Sequence, residues 1–432
     1  MKKKVCLILA ISMVLAFLVP VAMAQPQSIP DGPWIQPEQT VKLERLSQPE
    51  DVERILFDIE RRSKGRMKVE LIGYSAHYDW PLYVAKFGDA DDENKAKILI
   101  DTQIHGGEPL GTESALDLIS TLATSGNKDV IKILDNVTVW FIPMLNMDGA
   151  TIFEIEGYGQ AQSRQNIQHW TPEEWGLDVE TPAPWYWRSM TVRDWDIEGK
   201  YAGIGGYDMN RDAHPYLDFD LNVHSDQHMP SGWGGEPGFF VCPEIRALRD
   251  VFKELEPDLY VNHHHRGTNL VSEDDIRMCT LQIYAQFVPL DRVDTIEDNG
   301  IVHTRSLSEE SLELSKQVNA LVYQKLQLGG NNPFSAITKY PRVEDYYGGE
   351  GLPGTTLASF SMNDAAVMLY EVRSAGQKSS GMLVQQSLIG LYETLLGFAT
   401  GEVYEIDPAF YDDEIPEAGP RISNPVGGEG GI

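Results

Sequence analysis

Two side chains suited to chemistry close an apolar run in Ile98-Leu-Ile-Asp-Thr-Gln-Ile-His105-Gly-Gly-Glu108-Pro109. The run reads as a buried strand. The glycines permit a sharp turn where it stops, and Pro109 suits the first turn of a following helix, where its missing N–H costs nothing. An imidazole nitrogen and a carboxylate oxygen three residues apart can grip one side of a zinc ion, which then needs a third protein ligand and an open position for water. The same residues also fit a capped helix with an incidental histidine, so the rest of the chain must decide.

Three other apolar runs end in or carry polar groups. Pro257–Gly267 repeats the opening design and delivers His263, His264 and His265 to a strand end. Val137–Ile142 closes into a turn containing Asn146 and Asp148. Ala366–Arg373 carries Glu371, a lone carboxylate that is unfavourable to bury without a partner or a purpose. Arg373 on the same strand face could be that partner if both face solvent. Separate strands converging polar groups on one edge is how an α/β fold builds a site. Two histidines and a glutamate complete a catalytic zinc shell. Zinc brings the pKa of water to about 7, and a nearby carboxylate, with Glu371 the candidate, can take the proton.

The elements that position these groups follow from periodicity. Gly111 to Ala123 reads as a helix between the strands at 98–104 and 137–142, which makes a βαβ unit with parallel strands. A helix over Gln48 to Arg62 precedes strands at Met67–Ile72 and Pro81–Phe87, with His77 on the surface of their connecting turn. Helices are expected at Pro243–Leu255, Glu309–Leu326 and Gly381–Phe398, and Asn331–Gly354 reads as a glycine-rich mobile loop. Residues 167–203 form a tryptophan-rich insertion without a clear period, expected beside the active site.

The totals bound the biology. Acidic residues outnumber basic ones 65 to 35, giving a formal charge of −30 that disfavours nucleic acid and anionic membranes as partners. Lys2, Lys3 and Lys4, the apolar stretch Val5–Val21 and Ala22-Met-Ala24 form a secretory signal peptide over residues 1–24. A secreted or periplasmic protein with no membrane anchor after cleavage is expected. An extended arm (25–47), a domain over 48–400 and a disordered tail within 401–432 complete the layout. Cys242 and Cys279 could pair or remain buried thiols.

With these pieces in order, the chain resembles the zinc metallocarboxypeptidases of the carboxypeptidase A-like family. The match runs over residues 48–400: the first helix with IGYSAHYDWPLYVAKFG, then HGGEP, PMLNMDG, DMNRD, and the strand histidine followed by YEVR. The resemblance implies a mixed, mostly parallel twisted α/β sheet with helices on both faces. It implies one zinc ion per chain held by His105, Glu108 and His264, with Glu371 as general base. His264 is preferred because Asn262-x-His264 fits the family's frame; His265 is second. The resemblance further assigns Asn210 and Arg211 to the substrate's terminal carboxylate and Asp208 to orienting His105. Arg164 is assigned to the oxyanion, with Arg193 competing for the role, and Tyr347 or Tyr346 to a mobile cap. The implied substrate is a peptide with a free C-terminal carboxylate. A cell-wall amidase, a deacylase of N-acyl amino acids and a non-catalytic zinc-holding module are the alternatives.

Overall fold

The computed structural model describes residues 36–41, 43–155, 159–168, 206–224, 235–267, 269–327, 334–373 and 380–422. The expected signal sequence, most of the tryptophan-rich insertion and Arg193 lie outside them.

Eight strands form one sheet: β1 (Lys68–Tyr74), β2 (Pro81–Phe87), β3 (Ala96–Thr102), β4 (Val137–Ile142), β5 (Leu259–Arg266), β6 (Leu281–Tyr284), β7 (Ile337–Lys339) and β8 (Ala366–Arg373). Their order is β1-β2-β4-β3-β5-β8-β6-β7. The central four, β4, β3, β5 and β8, are mutually parallel, so their carboxyl ends share one edge. β1, β2 and β6 join through antiparallel pairs, which makes the sheet mixed.

Alternation along these strands divides the apolar side chains between two cores. On one face Ile98, Ile100, Val139, Val261, Met368 and Val372 pack with helices α1 (Pro49–Ser63), α2 (Leu110–Thr124), α3 (Lys128–Asn136), α5 (Glu309–Leu326) and α7 (Ser380–Thr400). On the other, Leu99, Trp140, Tyr260, Val367 and Leu369 pack with α4 (Pro243–Leu255) and α6 (Thr356–Ser361). Near-continuous Val/Ile/Leu runs produce this because a parallel strand is buried on both faces. The Phe252 and Phe360 rings, stacked at 3.9 Å, join α4 to α6.

Several expectations need correction. β3 ends at Thr102, because buried Gln103 turns to φ +59° and carries Ile104 and His105 off the strand. Pro109 stands one residue before α2 rather than inside it. The expected loop at 331–354 contains β7, which pairs in parallel with β6. The tail past Tyr411 is not free as far as residue 422: Ile415 is buried, Lys339 N donates to Pro416 O at 2.8 Å, and Leu270 N donates to Pro420 O at 3.0 Å. Cys242 and Cys279 are buried free thiols.

The turn after β3 is tied to the turn after β4. Leu145 N donates to Thr102 O and Asn146 N to Gln103 O, both at 3.0 Å. Asn146 Nδ2 bonds Ile104 O at 3.0 Å and Arg164 O at 3.2 Å, clamping three segments at one point. Gly106 allows this approach, since a Cβ there would lie 2.0 Å from Gly149 C. Gly106→Ala should therefore destabilise the fold by about 1–3 kcal/mol, as overpacking against backbone does. Thermal unfolding of variant against parent reads this directly, and an unchanged Tm would show that the two turns can separate freely.

Candidate metal centre and cleft

The three donors converge at the shared carboxyl edge. His105, Glu108 and His264 offer atoms that all lie within 4.8 Å of one another, and all three residues are buried. His105 Nδ1 is 2.9 Å from Glu108 Oε1, and His264 Nδ1 is 3.1 Å from both His105 Nδ1 and Glu108 Oε2. The backbone N–H of His265 also reaches Glu108 Oε2, at 3.0 Å.

The surroundings decide which nitrogens carry protons. Asp101 lies beside Asn262 in the β3–β5 register. Its two oxygens accept from Asn262 Nδ2 at 2.9 and 3.0 Å, which turns Asn262 Oδ1 toward His264 Nε2. An acceptor at Nε2 places the His264 proton there and leaves Nδ1 as a bare lone pair. Asp208 Oδ1 faces His105 Nε2 at 3.4 Å, close enough for an ion pair though outside hydrogen-bond geometry. Burial pushes His264 down to about 4, so the ring is neutral. Two bare imidazole nitrogens and a carboxylate facing one another repel unless a cation lies between them. This His₂–carboxylate donor set fits zinc, and an acceptor placed behind each ring is the arrangement that orients metal-bound histidines.

Three consecutive histidines meet three fates. His264 joins the cluster. His263 faces the opposite side of the sheet, where Nε2 meets Ser387 Oγ at 3.0 Å and its ring stacks on Tyr370 at 5.3 Å. His265 Nε2 accepts the Leu110 N–H at 3.1 Å, capping the start of α2.

The remaining candidates surround this centre. Glu371 stands beside His264 in the β5–β8 register. It is buried, and its Oε2 has no hydrogen-bond partner among the described residues. Burial and then the charge of Glu108 push its carboxyl well above the ordinary range, while Arg266 and Arg164 oppose the rise. Arg373 is buried too and is not its partner. Arg164, exposed on its loop, places Nη2 3.4 Å from Asp208 Oδ2 and Nη1 3.8 Å from Glu108 Oε1. Burial would raise Asp208, but Arg164 and His105 hold it well below its usual value. Asn210 Nδ2 comes within 3.4 Å of His264 Nε2, and Arg211 Nη1 donates to Asn210 O at 2.7 Å. Tyr346 and Tyr347 are exposed, the latter at φ +55°. Sequence reading passed over the Asp101–Asn262 pair as a unit. Its signal was a polar residue inside each of two apolar strands, an unfavourable placement unless the two meet.

A family model described as zinc carboxypeptidase matches residues 52–322. No curated protein sequence matches the chain. Carboxypeptidase A from Helicoverpa armigera is similar in structure at 14% identity and TM-score 0.50, over 83% of this chain and 74% of that one. Thrombin-activatable fibrinolysis inhibitor is similar at 14% identity and TM-score 0.51, over 86% and 81%. A metallo-carboxypeptidase from Burkholderia cenocepacia gives 14% identity and TM-score 0.46, over 82% and 69%. At such identities the first two likenesses speak for the fold alone.

Removing the Asn262 amide leaves the His264 ring without its outer hydrogen bond. Asn262→Ala is expected to weaken zinc affinity by about 10–100-fold, the usual effect of losing such a partner. Competition with a chromogenic chelator measures it, and parent-like affinity would show that His264 needs no such support.

Proposed function

The chain belongs to the zinc carboxypeptidase family, and we propose that it is an exported exopeptidase removing C-terminal residues from peptides at the centre formed by His105, Glu108 and His264. The convergence of these three donors beside Glu371 carries the reading. In this reading residues 48–400 are the catalytic domain and residues 1–24 direct export. Among the described residues no helix is long and apolar enough to cross a membrane.

His105, Glu108 and His264 hold the metal. Zinc bound there supplies Lewis acidity, which acidifies water and polarises a carbonyl oxygen. Asn210 and Arg211 anchor the terminal carboxylate, a planar guanidinium being matched to two parallel hydrogen bonds with it. That anchorage fixes the last peptide bond against Glu371. Glu371 takes a proton from the attacking water and returns one to the leaving amine. Its environment supports both directions, because a carboxyl held above its ordinary range by burial is a stronger base. Arg164, held by Asp208 at the rim of the donor cluster, sets a cation beside the oxygen that gains charge. Tyr347 and Tyr346, on a turn followed by Gly348, Gly349 and Gly351, are suited to close over bound substrate.

The direct test is hydrolysis of blocked dipeptides and cell-wall peptides with and without chelator; release of a free C-terminal residue that zinc restores is expected. Activity on none of the peptides would sink the proposal. Glu371→Gln should keep its zinc by elemental analysis yet lose kcat by about 10²–10⁴-fold. Arg211→Ala should raise KM for peptides with a free carboxylate. The parent should cleave C-terminally amidated peptides poorly, and equal cleavage of both would remove the anchoring role.

A further inference from the structure

Glu244 is fully buried and takes no part in the reaction above. It lies in the first turn of α4, where the helix dipole favours a carboxylate. Burial nevertheless raises its carboxyl to about 7. Both oxygens accept hydrogen bonds. Oε1 takes the Ala76 N–H at 3.0 Å, from the turn between β1 and β2, and Oε2 takes Asn166 Nδ2 at 3.3 Å. That turn is itself fixed, since Asp148 accepts from Ser75 Oγ at 2.6 Å and from the Tyr78 N–H at 3.1 Å.

Asn166 follows Arg164 by two residues and binds in two directions. Nδ2 donates to Glu244, Oδ1 accepts the Tyr207 N–H at 2.9 Å, and the Asn166 N–H donates to Tyr207 O at 3.3 Å. The two segments are pressed together: a Cβ on Gly206 would lie 2.1 Å from Asn166 O. Tyr207 immediately precedes Asp208. One amide thus sets the spacing between the backbone that carries Arg164 and the backbone that carries Asp208. The side-chain contacts between Arg164 and Asp208 are long, at 3.4 Å, so backbone placement must locate the guanidinium. A carboxylate only accepts, so Glu244 fixes which way the Asn166 amide faces. Reversed, the amide would set oxygen against oxygen at Glu244 and N–H against N–H at Tyr207. We propose that Glu244 is a positioning residue for the oxyanion cation, acting on Arg164 through the Asn166 amide. The assignment rests on the carboxypeptidase reading, in which Arg164 faces the oxygen that gains charge.

The test exchanges donor and acceptor. Asn166→Asp sets a carboxylate against Glu244, and Glu244→Gln sets an amide N–H against the Asn166 amide while its oxygen keeps the Ala76 N–H. Making both changes restores one donor and one acceptor with the polarity reversed, and the carboxylate introduced at position 166 still accepts from Tyr207. Peptide hydrolysis by the zinc-loaded parent, the two single variants and the double variant is compared at about pH 8, where the Glu244 carboxyl is ionised, with zinc content equalised by elemental analysis. Amide hydrogen exchange across residues 163–168 and 206–208 is followed in the metal-free proteins. Each single change should lower kcat by about ten-fold or more, the scale of a misplaced oxyanion donor. KM should stay within about two-fold of the parent, because Asp212, next to Arg211, is held separately by the Val241 and Cys242 N–H groups at 3.0 and 2.7 Å. Exchange at Tyr207 should quicken in both single variants, and the double variant should return kcat and exchange to parent-like values. Should a single variant fail to fold, the double variant decides alone, parent-like kcat supporting the assignment and a loss overturning it. Parent-like kcat in both single variants, or a loss that the double variant does not reverse, overturns the assignment while leaving the carboxypeptidase reading intact. Hydrolysis of none of the peptides by the parent overturns both.

Discussion

Electron pairs are held against one another at the centre of this protein. The Nδ1 atoms of His105 and His264 lie 3.1 Å apart with the Glu108 carboxylate against both, a contact that an apolar core or a solvated surface would relax. It persists because each ring is held from behind by an acceptor, Asp208 for His105 and Asn262 for His264, with Asp101 orienting Asn262 in turn. The Asp101–Asn262 and Glu371–His264 neighbours are fixed by the parallel registers of β3, β5 and β8. A slip of one residue in either pairing would send these side chains to the opposite core. The sheet register and the metal centre are thus one constraint seen at two scales.

The electrostatics of the cleft differ from those of the whole chain. The protein carries a formal charge of −30, yet Arg164, Arg211 and Arg266 lie around the donor cluster. Surface charges more than about 10 Å away are screened by salt, whereas charges in close approach are screened less. Arg164 and Arg266 therefore govern how far Glu371 can rise, and distant acids govern solubility.

Long periodic segments were legible in the sequence because local pattern and tertiary burial ask for the same residues there. α1, α4, α5 and α7 and the strands β2, β4 and β8 appear close to where periodicity set them. The elements that escaped notice depend on distant partners. Three-residue β7 sits in a polar, glycine-rich stretch and exists because β6 lies beside it. α3 is short, and the segment after Tyr411 is too acidic to suggest burial, yet Tyr411 and Ile415 insert into a core made by other elements.

The residue types at the strand ends, the Asn-x-His frame and the Asp-x-Asn-Arg order are properties of the chain alone, and they were enough to indicate a metal-dependent hydrolase of a known family. Which of three adjacent histidines meets His105 and Glu108 was decided by tertiary structure: alternation turns His263 and His265 to the other face, one toward Ser387 and the other to cap α2. The same holds for Glu371 and Arg373, whose spacing left an exposed pair open as an alternative but which are both buried without meeting. Spacing along one strand states which side chains share a face, whereas only the neighbouring strands determine what that face meets.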